Sequence, residues 1–394
     1  LDDATYPVVL DPVIGSATDV GLSSVNQNDT KPDIAFDLTN NIYAVCWQRV
    51  FSAGDAQIRA TRLNGNSFAP VAPLLIGVSP FSSGIFHEKP AIANNNFSDQ
   101  FLIVWAQSPR VFAPRDVFCR TLRPDGSLSA NSVALGTGTA DQFEPDVGGD
   151  ARGFDDDCVV VWTDASQGLR STQVATPAAG DPIKQGENAL TTTASDRQPA
   201  VSKTMLTSRT LAVWRNSAGT IQGRFMTNNG SPVGTETNIS DSVLNDSTPD
   251  VDGDGSVWLV VWEQLTSNAG ILTDVFCRRV NLTGSSTLSF PAPEAGLGVV
   301  GTNPNENERD PSVSIHNIRF VVCYEDDRST TAGTSDIAVA YVGRDVCQEC
   351  QSRNLIRGTN TTKSVLPAVC SRRSGGDPDS DRGAIIWCDV DLLP

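Results

Sequence analysis

One pattern recurs seven times along the chain and limits what it can fold into. A Pro-x-Ile/Val step leads through a turn to an apolar run that ends in an aromatic residue. The Pro anchors are Pro32, Pro90, Pro145, Pro199, Pro249, Pro311 and Pro367, spaced 50 to 62 residues apart. The aromatic anchors keep step: Trp47, Trp105, Trp162, Trp214, Trp262, Tyr324 and Trp387. Six of the seven Trp residues fill this one position, which chance placement does not do. At 394 residues the chain is long for one ordinary core. Repeats pack only on their neighbours, so this length does not require several domains.

Each repeat resolves into four short strands. The first follows the Pro, as in Pro145-Asp146-Val147, and the second is the apolar run, as in Cys158-Val159-Val160-Val161-Trp162. The third carries Asp-Val/Ile and often Arg, as in Asp116-Val117-Phe118-Cys119-Arg120, and the fourth returns to the next Pro. A strand with one wet face alternates, whereas the second strand is almost continuously apolar, so both its faces must be covered. Stacked four-stranded blades supply that cover, and the expected fold is all-β, a seven-bladed β-propeller. Only seven residues follow Trp387, enough for a third strand but not a fourth. The segment Tyr6-Pro7-Val8-Val9-Leu10 is therefore expected to complete the last blade and remove its open edge. The reading is one domain over 1–394, with an N-terminal segment 1–31 and blades starting near 32, 90, 145, 199, 249, 311 and 367.

The unit Pro-x-Val…Val-Val-Trp…Asp-Ile/Val…Arg…Gly resembles repeats of long secreted and surface proteins of bacteria. The resemblance covers residues 32 to 394 and implies fold more than function. The opening Asp3 to Pro12 resembles a segment that ends an upstream β-domain in such proteins, which implies a piece of a longer precursor. Sialidases are propellers too, but their Ser-x-Asp-x-Gly-x-x-Trp boxes are absent and no arginine triad can be assigned.

Charge narrows the partners. The formal net charge is -17, which repels nucleic-acid phosphates and anionic membranes. No run of 18 apolar residues exists, so no membrane insertion is expected. Nine Cys and seven Asn-x-Ser/Thr sequons point to an oxidising setting, secreted or at the cell surface.

Polar residues cluster before each Pro and after each aromatic anchor. The first group includes Lys31, Glu88 with Lys89, Glu144, Asp196 with Arg197, Asp246, and Glu308 with Arg309 and Asp310. The second includes Gln48 with Arg49, Asp164, Arg215, Glu263, Glu325 with Asp326, and Asp389. Blade stacking converges them at the channel mouth, where loops on a rigid scaffold carry function. The ligand-binding candidates are His87, Glu88, Glu144, Asp164, Arg197, Arg215, Glu263 and Arg309; no catalytic set is assigned. The competing reading has the same acids pairing with arginines or bonding loop amides in every blade. His87 is read as a loop histidine and His316 as a structural one.

Asp250, Asp252 and Asp254 match the start of a calcium loop, but Val261 stands where a Glu is required. A hairpin turn is the default, with calcium as the candidate metal and no other cofactor. Cys347 and Cys350, with Cys370 and Cys388, are disulfide candidates near the closing blade, with Cys370–Cys388 the favoured pair; the alternative, a four-thiolate zinc site, lacks a second close pair. The five remaining Cys are read as buried fillers or inter-blade bridges.

Two functions are carried forward. The first is an extracellular non-enzymatic binding or structural module contacting glycan or protein. The alternative is a carbohydrate-active enzyme, a glycoside hydrolase or lyase using the propeller face. Two carboxylates about 5–10 Å apart in a cleft with aromatic walls would favour the enzyme; evenly spread, salt-bridged charges would favour the module.

Overall fold

A computed structural model describes residues 20, 28–80, 84–109, 113–149, 155–203, 209–241, 245–265, 272–290, 298–300, 307–316, 319–327, 335–344, 349–356, 362–371 and 383–391. All regular structure among them is β. The strands form seven consecutive antiparallel sets. Their first strands are Asn28–Asp37, Phe86–Asn95, Gln142–Gly148, Arg197–Val201, Ser247–Gly253, Glu308–His316 and Thr362–Ser371. The last set shows two strands among the described residues, Thr362–Ser371 and Gly383–Asp391. The first two sets share one parallel bridge, Ala56 to Phe86. The segment expected to close the ring, Tyr6 to Leu10, lies outside the described residues.

The two sequence anchors are halves of one local device. In every set the ladder slips between the first and second strands, so that two residues oppose one. The pair Lys89-Pro90 opposes Trp105, and Glu144-Pro145 opposes Trp162. Thr248-Pro249 likewise opposes Trp262, and Asp310-Pro311 opposes Tyr324. Proline has no N–H to give the ladder, so it belongs at such a bulge. The residue before it takes a left-handed conformation, with φ between 44° and 55° at Lys31, Lys89, Glu144, Gln198, Thr248, Asp310 and Leu366. The bulge frees that residue's amide from the ladder, and a side chain of the preceding set accepts it. Glu144 Oε2 takes the N–H of Gln198 at 2.8 Å, Gln198 Oε1 that of Thr248 at 3.2 Å, and Glu325 Oε1 that of Leu366 at 2.8 Å.

The second strands are the core. Along Gln100–Ser108, Leu102 and Val104 pack toward the third set with Val147 and Val160, while Phe101, Ile103 and Trp105 pack toward the first with Ala44 and Ile58. Successive side chains point to opposite faces, so burial on both faces explains the unbroken apolar run. Each such large side chain contributes roughly 1.5–3 kcal/mol. The last set packs on the first, with Ala368 and Cys370 against Ile34, Phe36 and Tyr43.

The first strands line the inside and are stitched together by a second repeat. Asp33, Asp146 and Asp250 follow the Pro in the first, third and fifth sets, and Ala91 and Ala200 in the second and fourth. Each aspartate reaches the next set: Asp33 to the amide of Ile92 at 2.8 Å, Asp146 to Val201 at 2.7 Å, and Asp250 to Val313 at 2.8 Å. Among the described residues, no helix is long and apolar enough to cross a membrane.

The expected Cys370–Cys388 disulfide is corrected. Cys370 is a buried thiol outside any disulfide. It faces Ala384, and Cys388 faces Val365, four residues out of step and out of register for a bridge. Cys347 lies outside the described residues, and of the Cys350 and Cys388 side chains nothing is described. Cys46, Cys119, Cys158, Cys277 and Cys323 are buried free thiols, so they fill space rather than bridge blades.

Candidate functional site

The bulged end of the first strands carries two clusters of acidic side chains. The first lies where the first three sets meet. Arg115 precedes a third strand and is gripped from both sides. Its Nε and Nη2 reach Asp141 at 2.9 and 2.5 Å, and its Nη1 reaches Glu88 at 2.5 Å. Its backbone N–H also reaches Asp141 Oδ1 at 2.8 Å. Arg115 lies 4.3 Å from the Phe143 ring centre, and Arg197 approaches the same ring at 5.4 Å. Burial alone pushes the Asp141 carboxyl up, but the bonds and charge of Arg115 outweigh it and hold Asp141 below its ordinary value. Beside this triad Lys89 Nζ meets Glu144 Oε1 at 2.8 Å, which overcomes burial and keeps Glu144 ionised. Burial and then Lys89 lower the neighbouring Lys31.

A cleft of about 510 Å³ opens on the triad. It is lined by apolar Ala53, Phe86, Ala113 and Pro114 and by polar Glu88, Ser108, Arg115 and Asp141.

The second cluster belongs to the fifth and sixth sets. Asp310, the bulge residue, gives its backbone N–H to Glu263 Oε1 at 2.6 Å, and its carboxyl shares a hydrogen bond with Glu325. Glu263 Oε2 accepts from Ser247 Oγ at 3.2 Å. Burial, then the charges of Glu263 and Glu325, raise Asp310 to about 7. Three carboxyl groups thus converge, and their mutual repulsion favours a proton on Asp310.

The sequence candidates are placed as follows. Glu88 and Glu144 share the first cluster, and Glu263 belongs to the second. His87 is not in a surface loop: it sits buried inside a first strand with Nδ1 2.8 Å from the Ala56 carbonyl, and burial lowers its pKa. Asp164 caps a turn through the amides of Ser166 and Gln167 at 2.8 and 3.0 Å. Arg197 donates to the carbonyls of Ala194 and Asp196, and Arg215 to that of Asp246, so both tie loops. Arg309 stands 3.7 Å from Asp327. Asp250 and Asp252 each accept an amide of the sixth set, and Asp254 caps the hairpin at Ser256 and Val257. Among the described residues, no three His, Cys, Asp or Glu side chains are grouped to hold a metal ion.

Sequence reading missed Arg115 and Asp141, which sit in irregular segments, and Phe143, which opens the first strand of the third set beside Gln142. It also missed Lys203, whose ammonium crosses the inside of the ring to Asp33. The Pro-Asp and Pro-Ala alternation was the available signal for the inner aspartates.

No protein-family profile matches the chain, and no curated protein matches it in sequence. Solved structures do share its architecture. The NanB sialidase of Streptococcus pneumoniae matches with a TM-score of 0.52 at 9% identity, over 97% of this chain and 68% of that one. A Hadza microbial sialidase gives 0.48 at 8% identity, over 75% of this chain; the match spans 63% of the sialidase's own length. An α-L-arabinanase of Penicillium chrysogenum gives 0.49 at 12% identity, over 75% of this chain and 88% of that one. The fold is therefore all-β and of the propeller type. The expectation of a non-enzymatic module is corrected: the solved structure that matches over 97% of this chain is a sialidase, which favours the alternative. The charges are also not spread evenly from set to set: one cluster is ion-paired, and the other gathers three carboxyl groups.

Proposed function

We propose that the chain is a carbohydrate-active enzyme that hydrolyses a glycosidic bond on the bulged face of the ring. The observation that carries this reading is the Glu263–Asp310–Glu325 cluster, a hydrogen-bonded set tighter than the separated pair named in the sequence analysis. Glycoside hydrolysis pairs a carboxylic acid that protonates the leaving oxygen with an ionised carboxylate that serves as base or nucleophile. Environments that push neighbouring carboxyl pKa values apart assign those roles. Asp310, raised to about 7 by burial and by the charges of Glu263 and Glu325, is the acid, and Glu325, hydrogen-bonded to it, is its partner. Glu263 keeps the proton on Asp310 and fixes its backbone. The fold shared with a sialidase supports a carbohydrate substrate.

The ring is read as seven blades in one domain over 1–394, closed by the N-terminal strand; packing of the last set on the first supports this. A secreted or surface location belongs to the same reading.

The test is to incubate the intact chain with a panel of polysaccharides and follow released sugars by anion-exchange chromatography. Release by the wild type, reduced by about 100-fold or more in Asp310→Asn, is the expected result. No release from any substrate, or equal release by the variant, overturns the assignment.

A further inference from the structure

We infer that the cleft beside Arg115 is a binding subsite for an uncharged sugar segment, which deepens the glycan-processing reading and rests on it for the kind of ligand. A volume of about 510 Å³ falls within the roughly 300–1,000 Å³ of small-molecule sites. Its lining combines the two chemistries that a pyranose presents. Phe86, Ala113, Pro114 and Ala53 offer an apolar wall to the C–H face of a ring. Glu88 and Asp141 offer acceptors to its hydroxyls.

Those acceptors are fixed in advance. Arg115 forks onto Asp141 and bonds Glu88, and the Phe143 ring lies 4.3 Å from the guanidinium. A carboxylate has about four acceptor positions, so one bonded to Arg115 still has room for a hydroxyl. Glu88 uses Oε1, and its Oε2 has no bond among the described residues. Preset acceptors reduce the ordering cost of binding.

Charge sets the sugar class. One guanidinium is shared by two carboxylates, so the triad is net negative. A uronate or sialate would bring its own carboxylate against two others, and Arg115 keeps only two N–H groups beyond its bonds to Asp141 and Glu88. Such a mismatch rejects acidic sugars. Neutral sugars bring hydroxyl donors and meet no such repulsion.

The test is calorimetric binding to the intact chain in an Asp310→Asn background, so that ligands persist. The probes are cellohexaose, xylohexaose and galactohexaose, with trigalacturonate and sialyllactose as acidic arms. Two variants report on the cleft. Ala113→Trp fills it without removing a contact, and Glu88→Gln keeps the shape but weakens the triad. Thermal unfolding checks that both fold. We expect saturable binding of at least one neutral hexamer, at least tenfold weaker in Ala113→Trp and several-fold weaker in Glu88→Gln. The acidic sugars should bind at least tenfold more weakly than that hexamer. Equal or tighter binding of an acidic sugar, no neutral binding, or neutral binding untouched by Ala113→Trp overturns the inference. Full turnover by Asp310→Asn would sink the catalytic assignment alone and leave the binding result standing.

Discussion

Lys203 Nζ lies 2.5 Å from Asp33 Oδ1, although 170 residues separate them. The lysine follows the first strand of the fourth set and the aspartate sits in that of the first, so the bond spans the inside of the ring. The same ammonium reaches the Ile34 carbonyl at 3.2 Å. Burial works against its charge, but Asp33 and then Asp146 outweigh burial and raise the lysine above its ordinary value.

Removing that charge should therefore destabilise the whole ring. Lys203→Met leaves Asp33 without its cation, and breaking a buried pair from one side costs about 3–5 kcal/mol. Both partners keep some exposure, so about 2–3 kcal/mol is expected. Urea denaturation at pH 8 measures it. A change below about 0.5 kcal/mol would mean that Lys203 is not a strut.

The inner aspartates should make stability depend on pH in the opposite sense to an ordinary salt-bridged acid. Burial raises Asp146 to about 7 and Asp250 to about 6. Folding then favours the protonated form. No penalty exists below the unfolded value near 3.8; it grows as pH rises toward 6–7 and is complete above. Asp146→Asn keeps an acceptor for the Val201 amide and cannot ionise. It should stabilise the protein at pH 8 by on the order of 1–2 kcal/mol and have no such effect at pH 4. Denaturant midpoints at the two pH values decide the matter, and equal effects at both would refute the buried-charge account.

Asp310 gives the activity its own pH signature. An acid that titrates near 7 must lose its proton as pH rises, so kcat/KM should fall tenfold per pH unit above that value. Glu263→Gln removes the larger of the two charges that raise Asp310 and keeps an acceptor for its backbone N–H. The alkaline limb should then move to lower pH. A limb that stays in place would show that another group limits the rate.

How far the sequence revealed this molecule depended on how local each feature was. The Pro and Trp anchors were visible because the bulge that joins them needs a residue without an N–H and a large opposing ring. The direction of the second strands was visible because burial on both faces leaves no room for alternation. Asp310 was visible as one of several rim acids, but its proton was not, because that depends on Glu263 and Glu325 closing around it from two sets. Arg115 was hidden because its position has no counterpart in the other repeats. Lys203 was hidden because only ring geometry brings it to Asp33. The Cys370–Cys388 pairing failed because chain order does not fix register: Cys370 faces Ala384 and Cys388 faces Val365.

The buried thiols give the last test. Cys46, Cys119, Cys158, Cys277, Cys323 and Cys370 are free and buried. Burial pushes the Cys46, Cys119 and Cys323 thiols well up. The thiolate is the reactive form, so these groups are protected by both chemistry and access. Alkylation of the native protein by iodoacetamide at pH 8, read by peptide mass mapping, should leave all six unmodified over an hour. The same treatment in 6 M guanidinium, with no reductant added, should label all six. Labelling that needs a reductant would reveal disulfides among them. Rapid labelling in the native state at Cys158 or Cys323 would be harder to reconcile with the fold, since both lie in second strands enclosed on two faces by neighbouring sets.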